Sequence, residues 1–340
     1  VHQRSDVPYG MFLSGGIDSS AVLAVMARLN DQPVHAFTVG FSDTRAVDER
    51  EHAAIVAKSL GAEHVEVDFT EEDFWYTVPL VARAMDDPVA DYAELPTYKL
   101  AALASQQLKV ILCGEGGDEL FGGYSRYRSA IRPWWGHRRA MRSRGALEGM
   151  NILRTNSRDW RNGIAANEKY LSSVDRSALQ NVQANDFAEW LPHDLLIKLD
   201  RCLMAHGVEG RTPMLDPVIA KAVFRLPDSL KIRRRAGKWI LRKWVSDFAP
   251  AARPFSKKRG FTVPVGEWIL RKGALLGPLV AKQAGIIELC HPHKVESIFK
   301  SKNNRAGFAA WVLLFYAVWH QLHVEGYALD GDVFSILGNG

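Results

Sequence analysis

Ser14-Gly15-Gly16-Ile17-Asp18-Ser19-Ser20 decides how this chain is read. It follows an apolar run, Val7–Leu13, and opens a segment with apolar residues at helical spacing, Ser19–Leu29. A strand that turns through glycines into a helix makes an anion cradle. Glycine lets the backbone approach the anion, and the first amides of the helix offer donors and the positive end of its dipole. Hydroxyls of Ser14, Ser19 and Ser20 add donors. Asp18 would repel a bare phosphate, so the loop makes sense with a divalent cation between the two. The plain alternative is a glycine turn in which Asp18 or Ser19 caps a helix. A Walker loop would need G-x-x-x-x-G-K-S/T, and the sequence has none. The nearest approach to a dinucleotide fingerprint, Gly114-Glu115-Gly116, has Glu119 where the third glycine belongs.

Outward from the loop, strands and helices alternate. Pro33–Gly40, His64–Phe69 and Leu108–Cys113 read as further strands, and a helix from Asp48 or Glu49 through Leu60 and another near Thr97–Gln107 read as the connections. This alternation predicts an α/β fold with a parallel, doubly wound sheet, whose ligands bind at the carboxyl ends of the strands. We place this core at residues 1–125. From 126 to 340 helical patterns dominate, at about Asp194–His206, Pro217–Phe224, Lys238–Asp247 and Arg305–His323, punctuated by proline and glycine. We read them as a helical portion packed beside the sheet.

The end of the fourth strand carries the second signal, Cys113-Gly114-Glu115-Gly116-Gly117-Asp118-Glu119-Leu120-Phe121-Gly122-Gly123-Tyr124. Glycines surrounding three carboxylates at that edge suit metal coordination or proton transfer better than a bare turn.

Composition excludes other classes. Three cysteines, Cys113, Cys202 and Cys290, are too few and too scattered for a disulfide framework or a zinc cluster. The most apolar run, Phe308–Trp319, falls short of the roughly 20 residues of a membrane span, so it predicts a buried helix and no membrane association. A reducing cytoplasm is the expected setting. The net charge of +5 is concentrated locally: no acidic residue lies between Glu119 and Glu148, where Arg126, Arg128, Arg132, Arg138, Arg139, Arg142 and Arg144 fall. A solvated face or a surface for another domain is preferred over nucleic acid as the reading of this run. Val1 in place of Met, with a strand almost at once, leads us to expect a segment of something longer.

The two loops together resemble the synthetase domain of the asparagine synthetase family. The resemblance continues through Leu199-Asp200-Arg201, Glu209-Gly210-Arg211-Thr212-Pro213-Met214-Leu215-Asp216, Gly237-Lys238-Trp239-Ile240-Leu241-Arg242-Lys243 and Lys257-Lys258-Arg259-Gly260-Phe261. It implies an adenine-nucleotide alpha-hydrolase fold of the pyrophosphate-loop (PP-loop) type. It also implies an ATP-dependent ligase that adenylates a carboxylate, aspartate by family precedent, for ammonia to attack, releasing AMP and pyrophosphate. By resemblance, Phe12 and Val39 hold the adenine, and Ser14, Gly15, Gly16, Ser19, Ser20 and Gly114 the phosphates. Asp18 and Asp118 hold magnesium, Lys258 meets the transferring phosphate, and Glu115 is the catalytic carboxylate near the acyl group. Lys238 and Arg242 fit a basic helix beside ATP or a solvated face equally. Glu209, Arg211 and Asp216 are read as structural ion pairs.

Two features depart from the family. The glutaminase domain that normally comes first has no room before residue 14, so ammonia would be free or delivered by a glutaminase domain or subunit. In the acceptor-side segment Asp87–Tyr98, Tyr92 stands where stricter asparagine synthetases are expected to have an arginine. That leaves open an amidotransferase or cyclase acting on a glycan, peptide or secondary-metabolite carboxylate. A tRNA-modifying PP-loop adenylating enzyme is the alternative of another class, although the Gly-Glu-Gly-Gly-Asp-Glu loop is foreign to it.

Overall fold

The computed structural model describes residues 1–340 apart from Asp43, 45–47, 133–144, 156–158, Arg235, 257–261, Lys302 and 339–340, and the backbone alone at Ala130. In chain order the elements that build the site are strand β1 (Tyr9–Phe12), helix α1 (Ile17–Leu29), β2 (His35–Gly40), α2 (Arg50–Ser59), β3 (Glu63–Asp68), α3 (Glu71–Ala84), α4 (Glu94–Ala104), β4 (Val110–Leu112), the short α5 (Gly117–Phe121), α6 (Ala178–Ala188), α7 (Ile197–Met204), β5 (Glu209–Arg211), α8 (Trp239–Phe248) and α9 (Asn304–His323).

The five strands form one parallel sheet in the order β3-β2-β1-β4-β5. Successive residues on a strand face opposite sides, and here the two sides enter different cores. Val110 and Leu112 join Met11 and Leu13 against α1, α2 and α8, whereas Ile111 and Cys113 join Phe37 and Val39 against α3, α4, α7 and α9. The central strands β1, β2 and β4 are largely buried on both faces and read as mostly apolar runs, whereas the edge strands β3 and β5 do not. The α/β class and the parallel, doubly wound sheet are as the sequence predicts. The chain moves outward from β1 to β3 and returns on the other side of β1 as β4. Loops leaving β1 and β4 therefore diverge, and the crevice between them holds both Gly-rich segments.

Three elements differ from expectation. β5 carries Glu209, Gly210 and Arg211, with no apolar signal, because its side chains lie at a sheet edge. Its backbone does the pairing: Glu209 N–H donates to Lys109 O at 2.8 Å and Cys113 N–H to Arg211 O at 2.8 Å. α4 begins at Glu94, ahead of the expected Thr97, since Pro96 falls in its first turn, where a missing N–H goes unnoticed. α3 is nucleated by a capping box between Thr70 and Asp73 despite the internal Pro79.

Phe308–Trp319 is a buried helix, the middle of α9. Among the described residues no helix is long and apolar enough to cross a membrane. The indole N–H groups of α9 hold the chain that leads to the acceptor-side segment: Trp319 donates to Met85 O at 3.0 Å and Trp311 to Ala90 O at 2.9 Å.

Candidate active site

A cavity of about 460 Å³ opens between the carboxyl ends of β1, β2 and β4. Phe12 and Val39 line one part of it; Ser14, Gly16, Asp18 and Ser19 form one lip, and Gly114, Glu115 and Asp118 another. The first lip is a stapled loop. Gly15 takes a left-handed φ of +69°, Gly16 N–H donates to Ser14 Oγ at 3.3 Å, and Ser19 Oγ donates to Gly16 O at 3.2 Å. Gly16 is itself the N-cap of α1 and provides no side-chain acceptor, so neither Asp18 nor Ser19 serves as the cap. An N-terminus without a capping side chain keeps its amides available to a ligand. Gly15 and Ser20 stand behind the lining; Ser20 is fully buried and its hydroxyl has no hydrogen-bond partner among the described residues. Lys258 lies outside the described residues.

Asp18 and Asp118, 100 positions apart in the chain, converge on one ammonium. Lys238 Nζ pairs with Asp18 and, at 2.9 Å, with Asp118 Oδ1. Burial opposes the charge of Lys238, but the two carboxylates prevail and raise its pKa above the ordinary lysine range. Glycines permit this approach: a Cβ on Gly117 would come within 2.3 Å of Asp18 Oδ1, and one on Gly123 within 1.8 Å of Asp118 Oδ1. Two convergent carboxylates are hard oxygen donors of the kind that bind magnesium jointly with phosphates, so the residues present fit that ion. Lys238 and Arg242 are 3% and 8% exposed, which removes the solvated-face reading. Arg242 works as a clamp: Nε donates to Gly237 O at 2.7 Å and a terminal nitrogen to Pro254 O, joining the Lys238 turn to the chain that leads toward Lys258.

Glu115 sits at the other end of the acidic lip. Burial raises its carboxyl pKa above the usual range, Lys198 opposes this, and Asp18 and Asp91 add to it. Lys198 on α7 was not singled out from the sequence, yet it lines the cavity and donates to Asp91 Oδ2 at 3.0 Å. Tyr92, Trp190, Leu195 and Leu199 complete this wall. Cys113 is buried, and burial pushes its thiol well above its usual range, which agrees with a small packing residue.

Behind the acidic lip lies a buried polar brace. Gln183 of α6 donates to the carbonyls of Glu119 at 2.6 Å and Leu120 at 2.9 Å, and it accepts from the buried Lys231 at 3.0 Å. Asp186 of the same helix accepts from Arg126 at 2.7 Å and from Tyr127. Arg126, the first of the basic run, is thus spent in the brace rather than on a solvated face, while Arg138, Arg139, Arg142 and Arg144 fall outside the described residues. Glu209 pairs with Arg211 at 2.9 Å, as expected; Asp216 instead meets His2 and caps the helix beginning at Pro217.

Glu119, 1% exposed, accepts from Tyr124 Oη at 2.7 Å, and burial lifts its pKa from 4.5 to about 7 against that hydrogen bond. A carboxyl raised on folding contributes stability at low pH that is lost as pH climbs through the folded value, here between about 4.5 and 7, on the order of 3 kcal/mol in all. Glu119→Gln keeps the acceptor for Tyr124 and removes the titration. Its thermal midpoint should exceed that of the parent at pH 8 by more than at pH 5. Parallel profiles would exclude this origin.

Comparison with known proteins agrees with this geometry. The family model described as asparagine synthase matches residues 1–321. A putative asparagine synthetase [glutamine-hydrolyzing] of Mycobacterium tuberculosis is 30% identical over 95% of this chain and 56% of its own length. Asparagine synthetase [glutamine-hydrolyzing] 1 of Bacillus subtilis is 29% identical over 96% of this chain and 58% of its own. Asparagine synthetase B [glutamine-hydrolyzing] of Escherichia coli is 27% identical over 79% and 43%, respectively. The chain thus spans little more than half the length of the first two relatives. With its family model matched almost from end to end, the chain belongs to the asparagine synthase family.

Proposed function

We propose that this chain is the ATP-using part of an amide-forming ligase, with aspartate as the acceptor and asparagine as the product. One observation carries the reading: the stapled loop after β1, the converging Asp18 and Asp118, and Glu115 all open on one cavity at the switch point of the sheet. Phe12 and Val39 bound the place for the adenine, and Ser14, Gly16 and Ser19 the place for the phosphates. Asp18 and Asp118 would hold magnesium, which when bound offsets the charge of the departing pyrophosphate.

The acceptor carboxylate attacks the α-phosphorus of ATP, and the bond to the β-phosphate oxygen breaks. Loop amides, serine hydroxyls and Lys258 meet the charge that develops on the pyrophosphate, the kind of stabilisation that dominates such transfers. Ammonia, free or delivered by a glutaminase domain or subunit, then attacks the acyl carbon. AMP leaves, and Glu115 accepts a proton from the new nitrogen. Tyr92 in place of an arginine favours a second reading, the same chemistry on another carboxylate.

ATP–pyrophosphate exchange that requires an added carboxylate, together with AMP formation when ammonium is supplied, is the expected behaviour. Release of ADP and orthophosphate, or no exchange with aspartate or any acid of a broad panel, would overturn the proposal.

A further inference from the structure

Asp118 stands on α5, a helix of only five residues, Gly117–Phe121. A helix so short cannot hold its own direction, because nucleation is unfavourable and few intrahelical bonds offset it. Its ends are fixed from outside. At the front, Gly116 takes a left-handed φ of +87°, and Leu215 fills the space where a Cβ would stand. At the rear, the last carbonyls have no partner within the helix. Phe121 O accepts from Lys238 N–H at 3.0 Å, while Glu119 O and Leu120 O both accept from Gln183 Nε2, at 2.6 and 2.9 Å. One buried amide of α6 thus holds two of the three.

Lys231 decides which way that amide faces. An ammonium only donates, so the end of the amide that meets it must be the oxygen. Lys231 Nζ donates to Gln183 Oε1 at 3.0 Å, which turns Nε2 toward the α5 carbonyls. Lys231 is itself fully buried; it donates also to Phe224 O at 2.9 Å and lies 5.2 Å from the centre of the Phe224 ring. Among the described residues it makes no ion pair. Asp228 favours its charge, but burial prevails and brings its pKa down to about 8. A cation buried against carbonyls and an amide is a costly way to fill space that a methionine would fill. What it supplies is an amide that cannot flip and is polarised toward α5.

We propose that Gln183, oriented by Lys231, is a positioning residue of the magnesium site: it aims α5 so that Asp118 stays opposite Asp18. Neither Gln183 nor Lys231 lines the cavity, so both act through Asp118. The assignment rests on the reading given above, in which the two carboxylates hold the ion.

Manganese in place of magnesium gives a direct test. Free manganese is followed by its paramagnetic resonance signal as the ion is titrated into the chain with α,β-methylene-ATP present. The parent should bind the ion, and Gln183→Met should bind it about 10–100-fold more weakly, the usual cost of losing a group that orients a metal ligand. Lys231→Met, which keeps the amide but lets it turn, should fall between the two. Because Gln183→Met deprives the ammonium of a partner, the double variant Gln183→Met/Lys231→Met provides the same reading with no buried charge left over. In pyrophosphate exchange the magnesium concentration for half-maximal rate should rise in step, with kcat largely regained at saturating magnesium. A brace that only stabilises the fold would lower the thermal midpoint and kcat and leave the metal requirement unchanged. That outcome, or parent-like manganese affinity in the variants, overturns the assignment. A parent that binds manganese but exchanges no pyrophosphate defeats the ligase reading alone, whereas a parent that binds no ion beside the nucleotide defeats the metal site and this inference with it.

Discussion

Lys238→Met is expected to lose nucleotide turnover and stability together. The Lys238 side chain is 4% exposed and lies between two carboxylates that are each 19% exposed. Removing one partner of a buried ion pair costs about 3–5 kcal/mol, because a poorly solvated charge loses its counter-ion; Lys238 is the counter-ion of two carboxylates. For a chain of this length the loss corresponds to a thermal midpoint lower by roughly 5 °C. Like charges brought together disfavour ionisation, so one of the two carboxyls should have a folded pKa raised above its unfolded value. Such a group favours the folded state at low pH and stops doing so as pH rises through the folded pKa, so the deficit of the variant should narrow on acidification. Magnesium suits an all-oxygen donor set. Millimolar magnesium should therefore raise the midpoint of the variant more than that of the parent, with sodium chloride of equal ionic strength as control. Pyrophosphate exchange should fall by about a hundredfold or more, the usual cost of losing a preorganised charge at the reacting phosphates. A variant with the midpoint and exchange rate of the parent would show that Lys238 is dispensable.

What could be read in the sequence was what is local. The phosphate loop and the acidic loop each follow an apolar run and consist of glycine with a few polar residues, so their spacing alone suggested anion and metal chemistry. Residues joined only by the fold could not be read. Lys198 meets Asp91 across 107 positions and Lys238 meets Asp18 across 220, so no local pattern marks either pair. β5 escaped because an edge strand of Glu-Gly-Arg buries no side chain, and strand signals are burial signals. Arg126 misled for a related reason: in a run of arginines it looked solvated, but its partner Asp186 lies on a helix 60 positions later. Tyr92 could be recognised as a missing cation.

Glu115→Gln is expected to separate the two half-reactions. Glutamine keeps the volume and an acceptor oxygen but takes up no proton, so binding of ATP and formation of the acyl adenylate should continue near the parent level. Amide formation should fall by about 10²–10⁴-fold, the range for a lost general base. The pH profile gives the finer test. Burial, reinforced by Asp18 and Asp91 and opposed by Lys198, holds the Glu115 carboxyl above the ordinary glutamate value. A base works only when deprotonated, so the acid limb of the parent's amide synthesis should lie above the usual glutamate range and vanish in the variant. Removing Lys198 takes away the opposing charge and should move the same limb further toward neutral pH. Pyrophosphate exchange followed beside mass-spectrometric detection of the amide separates the possibilities. Equal losses in both would place Glu115 in adenylation, and loss in neither would remove it from the chemistry. Only a loss confined to the amide, with the acid limb gone, fits the proposed role of Glu115 as acceptor of the proton from the incoming nitrogen.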